Sequence, residues 1–108
     1  MALSTQFVEC AGVRRRMLVA APTVSASAIV LSLHGSRSSP EREAFMSRME
    51  PWSGSGVVVA FPEGSLRSGS RSEWDLQGDV AFLEAVVDRL REDFRPSSPR
   101  LGLAGMSG

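Results

Sequence analysis

Residues 100–104 read RLGLA, and this apolar run leads directly into Gly105-Met106-Ser107-Gly108. A sharp turn after a strand holds a serine in a strained backbone conformation, and its neighbours must be small because the chain passes close to itself. The hydroxyl of Ser107 would then stand exposed above the end of the strand. Glycine and serine also form ordinary turns, so the interpretation of this segment depends on the elements that precede it.

Two earlier runs of branched apolar residues have the character of buried parallel strands. They are residues 28–33 (AIVLSL) and 57–61 (VVVAF), and neither shows the apolar–polar alternation of a half-exposed strand. Helical patterns separate the three strands: one spans residues 41–49 after Pro40, and a clearer one begins at Asp79. This alternation predicts a parallel sheet with right-handed crossovers.

Each predicted helix carries apolar residues at helical spacing. In the first helix they are Ala44, Phe45, Met46 and Met49. In the second they are Phe82 or Leu83, Val86, Val87, Leu90 and Phe94. Pro51 and the glycines after it end the first helix, and we expect Trp52 to pack behind that helix.

An N-terminal hairpin is predicted before the first parallel strand. Residues 5–9 and 13–19 form its two strands, with the turn at Ala11-Gly12. Arg14-Arg15-Arg16 is interpreted as a solvated, charged edge rather than a binding patch. The same arginines could begin a signal peptide, but Pro22 and the polar residues after it interrupt the apolar run. We therefore favour a folded hairpin and a cytoplasmic location.

The composition excludes several classes of partner. The 108 residues include 12 Lys and Arg against 12 Asp and Glu, a balance that gives no attraction to nucleic acid or to anionic membranes. No stretch has the length of a membrane span. The single cysteine, Cys10, cannot form an internal disulfide and lacks the partners of a metal site. We expect no metal, no cofactor, no nucleic acid and no membrane partner.

The three predicted parallel strands should end at the same edge of the sheet, which is where ligands of such sheets bind. Five short motifs occur in order along the chain, and three of them fall at this edge. The motifs are Leu33-His34-Gly35, Phe61-Pro62-Glu63-Gly64, Trp74-Asp75, Asp79-Val80-Ala81-Phe82-Leu83 and Gly105-Met106-Ser107. In this order they resemble the polyhydroxybutyrate depolymerase and feruloyl esterase group of α/β-hydrolases.

The resemblance covers nearly the whole chain and implies the fold class. It implies an α/β protein, the N-terminal part of an α/β-hydrolase domain, in which a β-hairpin is followed by β-α-β-α-β with parallel strands. The function implied is a serine ester hydrolase that forms an acyl-enzyme on Ser107 and acts on small or polymeric esters. Many members are secreted, so an extracellular location also stays open. Residues 65–73, rich in arginine and serine, depart from the family pattern.

The resemblance also implies roles for individual residues. Gly105 and Met106 belong to the turn that presents the nucleophile Ser107, and the backbone amides of Ser36 and Gly108 form the oxyanion hole. In this fold the triad runs serine, acid, histidine along the chain. His34, the only histidine, precedes Ser107. We therefore interpret His34 and Gly35 as shaping the oxyanion loop, with a general-base role for His34 as the alternative.

The remaining candidates have structural interpretations beside the functional ones. Trp74 lies in a long polar loop, residues 62–77, and either lines the pocket or packs in the core. Hydrogen bonding or solvation within that loop is expected for Glu63 and Asp75, and helix capping for Asp79.

Three functions stay open at this stage. The favoured one is an ester hydrolase present as an incomplete fragment, because the triad acid and histidine would lie beyond Gly108. The second is a non-catalytic truncated remnant or a small α/β binding module. The third is a peptidase or thioesterase of the same fold, since the same nucleophile and oxyanion loop serve all acyl transfers. The oligomeric state is left undetermined.

The strand at residues 100–104 should be an open apolar edge in a chain of this length. We therefore expect the isolated 108-residue chain to be unstable or to aggregate. Thermal unfolding followed by circular dichroism, with sedimentation to measure its mass, tests this expectation. A cooperative, reversible transition of a monomer would contradict it.

Overall fold

Seven strands, two α-helices and a short 3-10 helix make up the computed structural model, which describes residues 3–69, 71–75 and 77–105. The strands are β1 (Leu3–Cys10), β2 (Val13–Ala20), β3 (Ala28–Leu33), β4 (Val57–Pro62), β5 (Leu66–Ser68), β6 (Arg71–Glu73) and β7 (Leu101–Gly105). The α-helices are α1 (Pro40–Ser47) and α2 (Asp79–Phe94), and the 3-10 helix is Glu50–Ser55.

Five of these strands form one mixed sheet in the order β1-β2-β4-β3-β7. The hairpin β1–β2 is antiparallel and joins the sheet through an antiparallel β2–β4 pair. β3 lies between β4 and β7 and runs parallel to both, with Val30 opposite Val59 and Gly102. The predicted hairpin followed by β-α-β-α-β with parallel strands is therefore confirmed.

Each face of the sheet is covered by one helix. Successive residues of a strand point to opposite faces, so Val58 and Ala60 join the core under α2 while Val59 and Phe61 join the core next to α1. All four are fully buried, which explains why β4 is apolar at every position. From α2, the side chains Phe82, Val86 and Leu90 complete the larger core.

The prediction for the first helix was wrong in its end point and in its buried face. α1 ends at Ser47 because Arg48 adopts a left-handed conformation, and Phe45 and Met46 are exposed, Phe45 by 80%. A helix of two turns can bury only one narrow face, and here Pro40, Glu43 and Ala44 occupy it. Buried Glu43 accepts a 2.6 Å hydrogen bond from the Ser32 hydroxyl, so a polar pair lies between α1 and β3.

Two further expectations need correction. Trp52 does not pack behind α1, because it lies in the 3-10 helix with 49% of its surface exposed. The segment 62–77 is not all loop, since β5 and β6 form a small antiparallel hairpin within it. An isolated bridge between Ser38 and Ser72 ties this hairpin to the loop after β3. Within the described ranges, neither α-helix combines the length and the apolar character of a membrane span.

The predicted solvated edge of β2 holds for Arg14, which is exposed, but not for Arg15 and Arg16. Arg15 forms a 2.6 Å ion pair with Asp79 and lies 3.8 Å above the centre of the Phe82 ring. The neighbouring Arg16 binds Glu63 at 2.7 Å and also binds Glu41. β2 lies inside the sheet, so its long side chains reach across the strand ends to both helices. Sequence patterns report local spacing only. The pattern could not predict these ion pairs, because the partners are distant along the chain.

Asp79 does more than the capping expected of it. It is the first residue of α2, where a negative charge is favoured by the helix dipole, and its carboxylate accepts hydrogen bonds from the amides of Asp75 (2.7 Å) and Ser65 (3.3 Å). Burial alone would raise the pKa of Asp79. The amide of Asp75, the guanidinium of Arg15 and the amide of Ser65 outweigh burial, so the pKa lies below its ordinary value.

Replacing Asp79 by Asn in the full-length protein should lower the free energy of unfolding at neutral pH by about 3 kcal/mol, because Arg15 loses its buried partner. The depressed pKa means that this stabilisation is present above the unfolded-state pKa, near 4, and is lost as the pH falls through the folded-state value. Urea unfolding at several pH values should therefore show the two proteins converging in acid.

The exposed pair of Arg89 and Asp93, which are 2.8 Å apart on α2, provides the control. Asp93→Asn should change the free energy of unfolding by about 0.5 kcal/mol or less. Equal losses in Asp79→Asn and Asp93→Asn would contradict the role given to Asp79.

Candidate functional site

The carboxyl ends of β3, β4 and β7 meet at one edge of the sheet, as expected. The predictions for Met106, Ser107 and Gly108 lie outside the described residues. Gly105 is described: it is the last residue of β7 and lies opposite Leu33 in the parallel register. A Cβ at Gly105 would stand 3.2 Å from the Leu33 carbonyl oxygen, so the close approach of these two strands favours glycine.

His34 follows β3 and is 2% exposed. Its Nε2 accepts a 3.0 Å hydrogen bond from the amide of Gly64. Nε2 therefore carries no proton, and Nδ1–H donates to the Gly35 carbonyl at 2.8 Å. Both ring nitrogens are engaged with the backbone, so the ring joins the end of β3 to the segment after β4.

Gly64 makes this contact with His34 geometrically feasible. A Cβ at Gly64 would lie 2.3 Å from the carbonyl oxygen of Glu73, closer than two such atoms can approach. The sequence analysis placed Gly64 in a motif but did not predict its role. The feature that could have revealed this role is a glycine shortly after the end of a buried strand, which often marks a close approach of two backbone segments.

Trp74 packs on the other side of the same loop. Its ring stacks on the His34 ring with the centroids 4.6 Å apart, and its Nε1 donates to the His34 carbonyl at 2.8 Å. Trp74 is half-buried, belongs to neither hydrophobic core, and lines a cavity. His34 is thus held from two sides, by Gly64 and by Trp74.

The cavity beside His34 has a volume of about 320 Å³, within the range of small-molecule sites. Its apolar wall comes from β3 and α2, and its polar groups come from the residue after β3, the loop before α2 and the first residue of α2. The lining residues are Leu33, His34, Trp74, Asp75, Asp79, Val80, Leu83 and Gly105. Gly105 belongs to this lining, and Ser107 follows it two positions later in the sequence.

Ser36, in the loop after β3, is not among the residues that line this cavity. The hydroxyl of Ser36 donates to the Glu73 carboxylate at 2.6 Å, and Arg37 adopts a left-handed conformation with φ of 54°. A non-glycine residue with positive φ is strained, and such strain is concentrated at functional loops. Sequence reasoning did not identify Glu73 as the anchor of Ser36, because the two residues are distant along the chain.

Among residues 3–69, 71–75 and 77–105, no group of three His, Cys, Asp or Glu side chains is placed to hold an ion.

No protein family model and no curated protein matches this sequence. Solved structures do match in fold. DcsB in complex with its substrate analogue is 16% identical, with a TM-score of 0.75 over 98% of this chain and 37% of its own. The lipase/esterase from Lactobacillus plantarum is 16% identical, with a TM-score of 0.65 over 97% of this chain and 45% of its own.

A third match is XC6422 from Xanthomonas campestris, described as an α/β serine hydrolase without a lid. It is 15% identical, with a TM-score of 0.62 over 97% of this chain and 50% of its own. The chain therefore spans half or less of the length of each of these three structures. At these identities the likeness concerns architecture, and it shows that the chain has the α/β-hydrolase fold.

Proposed function

We propose that this chain carries the nucleophile and oxyanion loop of a serine ester hydrolase that forms an acyl-enzyme on Ser107. One observation carries the proposal. The parallel pairing of β7 with β3 places Gly105 in the lining of the cavity that His34 and Trp74 also line, two residues before Ser107. The fold neighbours support it, since one is described as a serine hydrolase and another as a lipase/esterase.

In the proposed reaction, the Ser107 oxygen attacks the ester carbonyl, the alcohol leaves, and water then hydrolyses the acyl-enzyme. A general base must take the serine proton. His34 is the only histidine of the sequence, and both its nitrogens bind backbone groups. The proposal therefore assigns the base and its acid to residues outside 1–108.

The backbone amides of Ser36 and Gly108 are the proposed oxyanion donors. Each such donor contributes about 3 kcal/mol of transition-state stabilisation when it is held in place before the reaction. The Gly64 amide and the Trp74 indole hold His34, two residues before Ser36. Trp74 is accordingly proposed as a positioning residue for the oxyanion loop.

The substrate proposed is an ester whose apolar part lies against Leu33, Val80 and Leu83 in the cavity. Among esters, the sequence motifs favour a polyhydroxyalkanoate or a hydroxycinnamate ester as the substrate. A peptidase or thioesterase would use the same nucleophile and oxyanion donors, so a substrate panel has to separate these activities.

A fluorophosphonate probe should label the full-length protein and should not label its Ser107→Ala variant, because the probe reacts with an activated serine. Ser97→Ala, a change at a serine in the loop after α2, is the control and should be labelled like the wild type. Absence of labelling in the wild-type protein would remove the proposal and favour a non-catalytic remnant. Rates of hydrolysis of p-nitrophenyl esters, feruloyl esters and aminoacyl anilides then show which of these three substrate classes the protein prefers.

Trp74→Leu should reduce kcat for a neutral p-nitrophenyl ester by about tenfold with little change in KM, because the stacking and the hydrogen bond to the His34 carbonyl are both lost. Trp74→Phe keeps the stacking but loses the hydrogen bond, so its kcat should lie between those of the wild type and Trp74→Leu. Trp52→Leu, at the exposed tryptophan, is the matched control. A Trp74→Leu variant with the wild-type kcat, or an equal loss in Trp52→Leu, would refute the positioning role.

A further inference from the structure

We propose that a second cavity, next to the oxyanion loop, binds a carboxylate group of the substrate, so that the preferred ester is anionic. This cavity, called here the arginine cavity, has a volume of about 440 Å³ and is lined by Ser36, Arg37, Ser38, Ser39, Arg42 and Arg71. The inference rests on the proposed function, because the carboxylate would belong to the ester that Ser107 attacks.

Three separate elements contribute the arginines. Arg37 lies in the loop after β3, Arg42 in the first turn of α1, and Arg71 at the start of β6. A loop, a helix and a strand thus contribute three arginines to the lining of one cavity. Guanidinium is the side-chain group whose fork of donors best matches a carboxylate.

The backbone around the arginine cavity is held in place. Ser39 caps α1 by accepting a 3.1 Å hydrogen bond from the Arg42 amide, and the Ser72 amide donates to the Ser38 carbonyl at 2.8 Å. The loop, the helix and the small hairpin are therefore joined directly. A site with fixed walls loses less entropy when it takes up a ligand.

Of the three arginines that line the arginine cavity, one has a carboxylate at ion-pair distance among the described residues. Glu73 approaches Arg37 at 4.0 Å, and its other oxygen accepts from Ser36. Among the described residues, no carboxylate lies within 4.0 Å of the Arg42 or Arg71 guanidinium. Cations gathered around one cavity repel each other, and a bound anion relieves that repulsion.

The arginine cavity and the cavity beside Gly105 are lined by neighbouring residues of the segment after β3. Ser36 lines the arginine cavity, and His34, two residues earlier, lines the cavity beside Gly105. Two residues span at most about 7 Å along the chain. An ester whose carboxylate is three or four carbons from the scissile carbonyl has the matching length.

The test compares p-nitrophenyl hemiglutarate, which carries a free carboxylate, with p-nitrophenyl hexanoate, a neutral ester of similar length, on the full-length protein. The wild type should show a higher kcat/KM for the anionic ester, and this preference should weaken as salt is added. Arg42→Gln and Arg71→Gln should each reduce the ratio of the two kcat/KM values by about tenfold or more, because each removes a charged hydrogen-bond donor.

Arg48→Gln, at the opposite end of α1, is the matched control and should leave that ratio unchanged. Thermal unfolding of each variant shows whether it is folded, and Arg42→Lys provides a milder change that keeps the charge but removes the planar fork. A wild type without preference, or a preference that persists in the Arg42→Gln, Arg71→Gln double variant, would overturn the inference while leaving the ester hydrolase proposal intact.

A protein that hydrolyses neither ester would refute the proposed function, and direct binding then decides the inference. Calorimetric titration with monomethyl glutarate should show binding that Arg42→Gln weakens by about tenfold and Arg48→Gln does not. Absence of binding, or binding that is insensitive to Arg42→Gln, would overturn the arginine cavity as a carboxylate site.

Discussion

The carboxylate of Asp79 joins the parts of the chain that build the candidate site. Two segments hold His34, one through the Gly64 amide and one through the Trp74 indole. The residues directly after them, Ser65 and Asp75, both donate their amides to Asp79. Arg15 completes the arrangement from β2. A single buried negative charge therefore sets the distance between the sheet, the helix α2 and the two arms that fix the loop.

The position of α2 on the sheet depends on this charge as well as on the apolar core. Apolar burial brings α2 onto the sheet but does not by itself set its position along the strands, because apolar contacts are non-directional. Hydrogen bonds to a carboxylate are directional and short. The ion pair at the first residue of α2 therefore fixes where the helix begins relative to the strand ends, and that position defines one wall of the cavity.

Much of the architecture could be predicted from the sequence, because it depends on local patterns. Residues 28–33 and 57–61 are apolar without alternation, and the structure buries both faces of β4 and buries or half-buries every residue of β3. The stripe on α2 was read correctly because sixteen residues give the helical period several repeats. The eight residues of α1 give barely two turns, so the period could not show that Phe45 and Met46 face outward.

The parts of the site that could not be predicted are long-range polar contacts. The partners Arg15 and Asp79 are 64 residues apart, and Ser36 and Glu73 are 37 apart. Nothing in the neighbourhood of either residue in the sequence indicates such a partner. His34 was assigned to loop shaping from its position before Ser107. The reason the geometry suggests, two ring nitrogens bound to backbone groups, appears only in three dimensions.

Position 64 has a consequence for tracing the ancestry of this chain. The solved structures of this fold share only 15–19% of their residues with it, too few for most positions to be informative. A Cβ at position 64 would collide with the Glu73 carbonyl, so drift there is blocked by sterics rather than by chemistry. His34, Gly64 and Trp74 should therefore persist or disappear together among diverged homologues.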